Sequence, residues 1–214
     1  MAQVLKSSPV EPNVRERLLK AATELFAQKG YASTSVNEIV AAAGVTKPIL
    51  YYYFNSKEGI YLEIMRDAFG RFEGLVDEAE KWEGPAIARI HRLTASLLDL
   101  FVEKLDAARV IHSIYYGPPQ GAPFYDFDAH QIRYLKALQH IVEDGIQSGE
   151  LREANPEEIT LAVAGLANIS MDLELWGKGP TLGRQGLEKI LKMLFRGIAL
   201  HPEDHEESHE ESKP

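Results

Sequence analysis

The segment Ser35 to Phe54, SVNEIVAAAGVTKPILYYYF, constrains this chain more than any other. Val36, Ile39, Val40 and Ala43 recur at helical spacing and then stop at Gly44. Ser35 and Glu38 stand at the spacing of a capping box, in which each satisfies the other's free N–H. Gly44 suits a left-handed turn, which a residue with a Cβ adopts only at a cost. Thr46 is placed to cap a second helix, and Pro48 falls in its first turn, where the missing N–H would be unpaired anyway. In that helix Leu50 and Phe54 are four apart and share one face. Pro48, Ile49 and Tyr52 point the opposite way, with Tyr51 and Tyr53 on the flanks. A short helix has a single inward face, so the tyrosine run must leave rings outside. Two short helices around a glycine turn make a helix-turn-helix, whose second helix reads DNA in the major groove. Tyrosine suits that surface, because its ring buries area at low entropy cost and its hydroxyl donates to phosphate. Lys47 and Lys57 bracket the helix and can neutralise phosphate charge.

The resemblance to a known family extends over about fifty residues. From Val14 to Met65 the chain reads VRERLLKAATELFAQKGYASTSVNEIVAAAGVTKPILYYYFNSKEGIYLEIM. An amphipathic helix ending in LFAQKGY, then TSVNEI, AAGV, KPILYYYF and NSKEGIYLEI, follow in the order and spacing of the N-terminal domain of the TetR family of bacterial transcriptional regulators. The remainder resembles the family only in length and helical character. The resemblance implies an all-α homodimer that binds operator DNA and is usually released by a small ligand held in the C-terminal domain. Carried onto this sequence, the DNA-contacting set is Ser35, Asn37, Thr46, Lys47, Pro48, Tyr51, Tyr52, Tyr53 and Lys57. Asn37 stands where the family often has arginine, and asparagine can still pair bidentately with adenine.

Charge distribution agrees with a DNA reader once it is divided along the chain. The net charge of the 214 residues is −9. Residues 1–57 carry seven basic and four acidic side chains, a net +3, and the remainder carries −12. The positive field therefore sits on the reading segment, and the acidic remainder turns non-specific DNA contacts away. With no cysteine there is no disulfide framework, thiolate nucleophile or cysteine-bound metal. No apolar run reaches the ~18–20 residues of a membrane span, and MAQVLKSSPVEP lacks the apolar core of a signal peptide. A cytoplasmic protein without a cofactor is expected.

Helical periodicity and breaks predict about nine helices and no strand. Residues 1–12 read as a flexible arm, and Asn13 as the cap of a first helix whose core face holds Val14, Leu18, Ala21, Ala22, Leu25 and Phe26. Ser56 caps a fourth helix that fades near Gly84–Pro85. Gly59 in its first turn is expected to weaken it by up to ~1 kcal/mol. Further helices are expected over 86–103, 106–116, 124–147, 156–176 and 184–199, with GPPQGAP at 117–123 and GKGPTLG as breaks. The fold class is thus all-α. A three-helix reading domain is expected at 13–57, and the resemblance implies that the larger helical part at 58–200 binds a ligand and dimerises. The acidic tail at 201–214 has His201, His205 and His209 four apart, and reads as solvated and disordered rather than metal-binding.

Two stripes in the last two helices suggest a dimer face. Ile159, Val163, Leu166, Ile169, Leu173 and Trp176 form one, interleaved with Ala162, Ala164, Gly165 and Ala167. Leu187, Ile190, Leu191, Leu194 and Ile198 form the other. The resemblance implies that these helices build a four-helix bundle with a second copy, whereas the stripes alone also fit a monomer core. An aromatic and histidine cluster, His112, Tyr115, Tyr116, Phe124, Tyr125, Phe127, His130 and Tyr134, with Asn168 and Met171 opposite, fits a pocket for an apolar or aromatic effector. The same spacing also fits plain core. His112 and His130 lack an identifiable third metal ligand. An enzyme is disfavoured, because GxSxG, P-loop, HExxH and dinucleotide fingerprints are all missing. A helical adaptor with a vestigial helix-turn-helix is the other competing class.

Overall fold

The computed structural model describes residues 13–177 and 181–197. Nine helices and no strand occur among them: α1 (Val14–Lys29), α2 (Val36–Ala43), α3 (Lys47–Phe54), α4 (Lys57–Ala79), α5 (Ala86–Glu103), α6 (Leu105–Tyr115), α7 (Phe127–Gln147), α8 (Pro156–Trp176) and α9 (Gly183–Arg196). The expectations for the arm at 1–12, the tail at 201–214 and Ile198 fall outside the described residues.

Helix starts follow their capping residues. Asn13 accepts from the Glu16 N–H at 2.9 Å, and Glu16 accepts from the Asn13 N–H in return. Ser35 and Glu38 complete the same box on α2, which ends on Gly44 in the left-handed region at φ 65°. Thr46 is a correction: it occupies the cap of α3 in extended backbone, but its side chain makes no capping bond. Its hydroxyl is left at the surface beside Lys47. α7 begins at Phe127 rather than 124, since Asp126 caps it by accepting from the Ala129 N–H at 3.0 Å.

Two cores lie along the molecule, joined by α4. The first gathers Leu18, Ala22 and Phe26 of α1, Ile39 of α2, Leu50 and Phe54 of α3 and Ile60 to Met65 of α4. Ala107 and Val110 of α6 belong to it as well. The second holds Val76 and Ala79 of α4, the inner faces of α5 and α7, Val163 and Ala164 of α8, and Leu187 and Leu191 of α9. The helix-turn-helix is therefore not closed by its own three helices, and α6 covers the side of α1 that would otherwise face water.

The Gly59 expectation changes sign. A Cβ there would lie 1.8 Å from the carbonyl oxygen of Phe54, so the tight passage from α3 into α4 requires glycine. Helix propensity alone makes Gly59→Ala stabilising; the close approach makes it destabilising by about 1–3 kcal/mol. Thermal unfolding of the two proteins decides between these signs.

Candidate DNA interface and effector cavity

α3 presents the surface expected of a recognition helix. Leu50 is fully buried and Phe54 nearly so, which fixes the roll of the helix. Tyr52 is thereby 81% exposed, with Tyr51 at 46% and Tyr53 at 42% on its flanks. The rings of Tyr52 and Tyr53 meet edge to face at 5.0 Å, an arrangement that holds both rings without burying either. Thr46, Lys47, Pro48 and Asn37 are exposed as well. Lys47 makes no ion pair among the described residues, so its charge is available to phosphate.

Two members of the expected set are already bonded internally. The Ser35 hydroxyl donates to Glu38 at 2.7 Å while accepting from the Glu38 N–H, so a phosphate would compete with the cap. Lys57 is half-buried; its ammonium donates to the carbonyls of Tyr31 and Thr34, both at 3.1 Å, and lies 4.2 Å from the Tyr31 ring centre. Of its three N–H groups one is left for DNA. Lys57 is first of all the tie between the end of α1 and the start of α4.

Electrostatics stiffen the edge of the helix-turn-helix. The carboxylate of Glu38 bonds Lys29, then the Ser35 N–H and hydroxyl, and these pull its pKa from 4.5 to about 2. Because the folded value is depressed, the associated stability is present above pH 4.5 and is lost as pH falls through about 2. Burial, with Glu58 nearby, raises the Tyr31 hydroxyl well above the tyrosine range, and burial lifts Tyr61 to about 12. Both phenols are neutral packing groups at physiological pH.

Behind this surface lies a cavity of about 370 Å³, bounded by α4, α5, α6, α7 and α8. His112, Tyr115, Tyr116, Phe127, His130, Asn168 and Met171, all expected at a ligand site, line it. Phe124 and Tyr125 do not. Phe124 is 87% exposed on the α6–α7 connection, and Tyr125 stacks on Phe69 at 5.3 Å. They line a separate open depression under that connection. The extended backbone before Asp126 is the reason, since a helix from 124 onward would have turned these rings differently. Tyr134 is buried in the second core, its hydroxyl unpartnered and burial raising its pKa.

His130 is the most constrained group of the cavity wall. Its ring stacks on Phe69 at 4.2 Å, and Nδ1 bonds Glu73, which also pairs with Arg133. Sequence reasoning missed Leu97, Leu100 and Phe101 of α5, Lys104 just after it, and Asp172 and Leu175 of α8, all of which line the cavity. The signal was present: 97, 100, 101 and 104, like 168, 171, 172 and 175, are spaced i, i+3, i+4 and i+7. No grouping of three or more metal-ligating side chains occurs among the described residues.

The residues expected at a dimer face lie in different environments. Leu187 and Leu191 are fully buried in the protomer, so they cannot meet a second copy. Val163 is buried likewise. What α8 exposes is Leu161 at 62%, Ile169 at 42% and Trp176 at 57%, with Met193 of α9 at 56%. Leu166, Leu173, Ile190 and Leu194 are half-buried between the two environments. Ile169 and Trp176 of the expected stripe are thus exposed while Val163 faces the protomer, because α8 is apolar on both faces. Indeed α8 is long and apolar enough to cross a membrane, with a mean hydropathy of 1.2 over eighteen residues of which 28% are buried. The span expectation from apolar runs alone overlooked this helix. Its packing on α7 and α9 through Val163 and Ala164 makes it a helix of a protein core with one uncovered face.

Known proteins resemble this chain in its N-terminal segment and in its fold. Residues 18–64 match the family described as "Bacterial regulatory proteins, tetR family". The HTH-type transcriptional repressor KstR2 of Mycolicibacterium smegmatis is 26% identical over 202 residues, covering 89% of this chain and 94% of that protein. The crystal structure of the TetR family transcriptional regulator PfmR from Thermus thermophilus superposes with a TM-score of 0.69 at 25% identity, over 89% of this chain and 99% of that one. FadR from Bacillus subtilis, solved in complex with stearoyl-CoA, shares the fold at 21% identity with a TM-score of 0.63, over 86% of this chain and 98% of that one. The Glu38 box generates a prediction here: Glu38→Gln should flatten the loss of stability between pH 4.5 and about 2, read by thermal melts across that range.

Proposed function

The chain belongs to the TetR family of bacterial transcriptional regulators, and on that premise we propose that it is a ligand-responsive repressor, binding a palindromic operator as a dimer and released by a small apolar effector. Residues 13–57 are assigned to DNA reading and 58–200 to effector binding and dimerisation. The observation that carries this reading is the position of the cavity: its walls include α4 and α6, the two helices that also pack on the reading head. Occupancy can therefore bias the helices that hold α3. A ligand acts only through unequal affinity for the two arrangements, and DNA must then weaken the ligand by the same factor.

Effector chemistry follows from the lining. Phe69, Phe72, Leu97, Phe101 and Met171 supply an apolar interior, and Lys104, His112, Asn168 and Asp172 supply the polar groups that would orient a head. An apolar chain bearing a polar head is the class to test first, with stearoyl-CoA, the ligand in the FadR complex, as its first representative. Support for the dimer comes from Leu161, Ile169, Trp176 and Met193, large apolar side chains left uncovered on one side of α8 and α9.

The test of the reading is selection of genomic DNA fragments by the purified protein, followed by titration of a selected duplex. Specific, salt-sensitive binding is expected, and recovery of no preferred fragment contradicts the reading in favour of a protein adaptor. On the selected duplex, Lys47→Ala should lower the salt slope by about 0.9. Tyr51→Ala should weaken binding while its melting temperature stays at the wild-type value.

Assembly gives a separate expectation. Ile169→Glu with Trp176→Glu should yield a folded monomer in sedimentation, whereas Leu187→Glu should unfold the protomer, because that side chain is fully buried within it. A wild-type protein that sediments as a monomer at micromolar concentration removes the two-fold arrangement from the account.

A further inference from the structure

Where α1 ends, a single side chain from a distant loop joins the reading head to the cavity wall. Gly30 leaves the helix at φ 83°, and this releases the N–H of Tyr31 from the helical ladder. Gln120, 89 positions later in the α6–α7 connection, accepts from that N–H through Oε1 at 2.8 Å. The other half of the same amide donates through Nε2 to the Ser113 carbonyl at 3.2 Å and to the Ser113 hydroxyl at 3.3 Å. Ser113 lies in the last turn of α6, where carbonyls have no helical partner. One amide thus satisfies an orphan donor of α1 and an orphan acceptor of α6. The orientation of the amide is fixed by its partners, since an N–H only donates and a carbonyl only accepts.

Both ends of this bridge lead somewhere. Ser113 is flanked on α6 by His112 and Tyr115, which line the cavity. On the other side, the Tyr31 carbonyl accepts from Lys57, the first residue of α4, just past the end of the recognition helix. Space is tight at the contact: a Cβ on residue 30 would lie 2.6 Å from Gln120 Oε1, so only glycine admits the bonded amide. The connection bearing Gln120 also holds Tyr125 against Phe69 and His130 of the cavity region.

We propose that Gln120 is the positioning residue that couples the effector cavity to the DNA-reading head, by bonding the last turn of α6 to the backbone of Tyr31. A ligand that displaces His112 or Tyr115 moves the end of α6, draws Ser113 from the amide and frees Tyr31, and with it the Lys57 tie that sets α3 against α4. The proposal rests on the ligand-responsive reading of the cavity. Gln120 touches neither the exposed face of α3 nor the cavity interior, so its loss separates coupling from binding.

The test compares full-length wild type with Gln120→Ala and Gln120→Glu. Affinity for a selected duplex is measured with and without stearoyl-CoA, and stearoyl-CoA affinity is measured alone. Gln120→Ala should bind each partner within about three-fold of wild type, while the factor by which stearoyl-CoA weakens DNA binding falls about ten-fold or more. Gln120→Glu keeps the acceptor for Tyr31 but sets a carboxylate against the Ser113 carbonyl, and should lose coupling as well. Full coupling in Gln120→Ala overturns the proposal. Absence of coupling in wild type counts against the ligand reading instead, and amide exchange of the free proteins then decides on the bridge. Exchange should rise in Gln120→Ala at Tyr31 and across 113–116 together; unchanged exchange at either end overturns it.

Discussion

α6 is short, and the rest of the molecule depends on its having two apolar faces. Val110 belongs to the core of the helix-turn-helix, Ala108 and His112 form a wall of the cavity, and Ala107 and Ile111 meet both. Neither compartment is closed without it. Close-packed interiors do not deform continuously, and α6 is packed into both. The helix thereby belongs to both compartments.

α4 provides the second path, and its character differs. It runs from the first core to the second, and along its middle it meets α7 through polar contacts: Glu73 with His130 and Arg133, and Arg133 with Asp77. Arg71 and Asp67 reach Glu103 and Lys104 at the α5–α6 junction in the same way. Pairs with one or both partners substantially exposed contribute about 0–1 kcal/mol each. They hold the rotation of α4 without locking it, unlike the buried contacts of Ile60, Tyr61 and Met65 at its start. A rod firmly embedded at the reading head and loosely held at mid-length is suited to transmit a change in its angle.

How much of this was legible depended on whether one local pattern decided the outcome. The capping pair Ser35–Glu38, the turn at Gly44 and the inward pair Leu50–Phe54 are local, and the helix-turn-helix followed from them. Its exposed tyrosines followed in turn. Lys57 was legible as a cation beside the recognition helix, but its commitment to Tyr31 and Thr34 depends on a turn more than twenty residues earlier. Gly59 looked like a propensity penalty because the Phe54 carbonyl that demands it is set by the angle between α3 and α4. On α8 apolar residues occupy both faces, so periodicity could not separate the protomer side, Val163 and Ala167, from the open side, Leu161 and Ile169. Gln120 carried no signal at all; a glutamine among prolines and glycines acquires meaning only when Tyr31 and Ser113 come to either side of it.

The central claim is that cavity occupancy changes the geometry of the reading heads in a dimer. Because the chain has no cysteine, Gln28→Cys, at an exposed position near the end of α1, accepts a single spin label on each protomer. Dipolar distance measurement between the two labels then reports the separation of the heads directly. The account predicts one distance distribution for the protein bound to a selected duplex, displaced to a different separation when saturating stearoyl-CoA is added. Distributions that coincide in the presence and absence of a ligand shown to occupy the cavity, or no intermolecular distance at all, would contradict it.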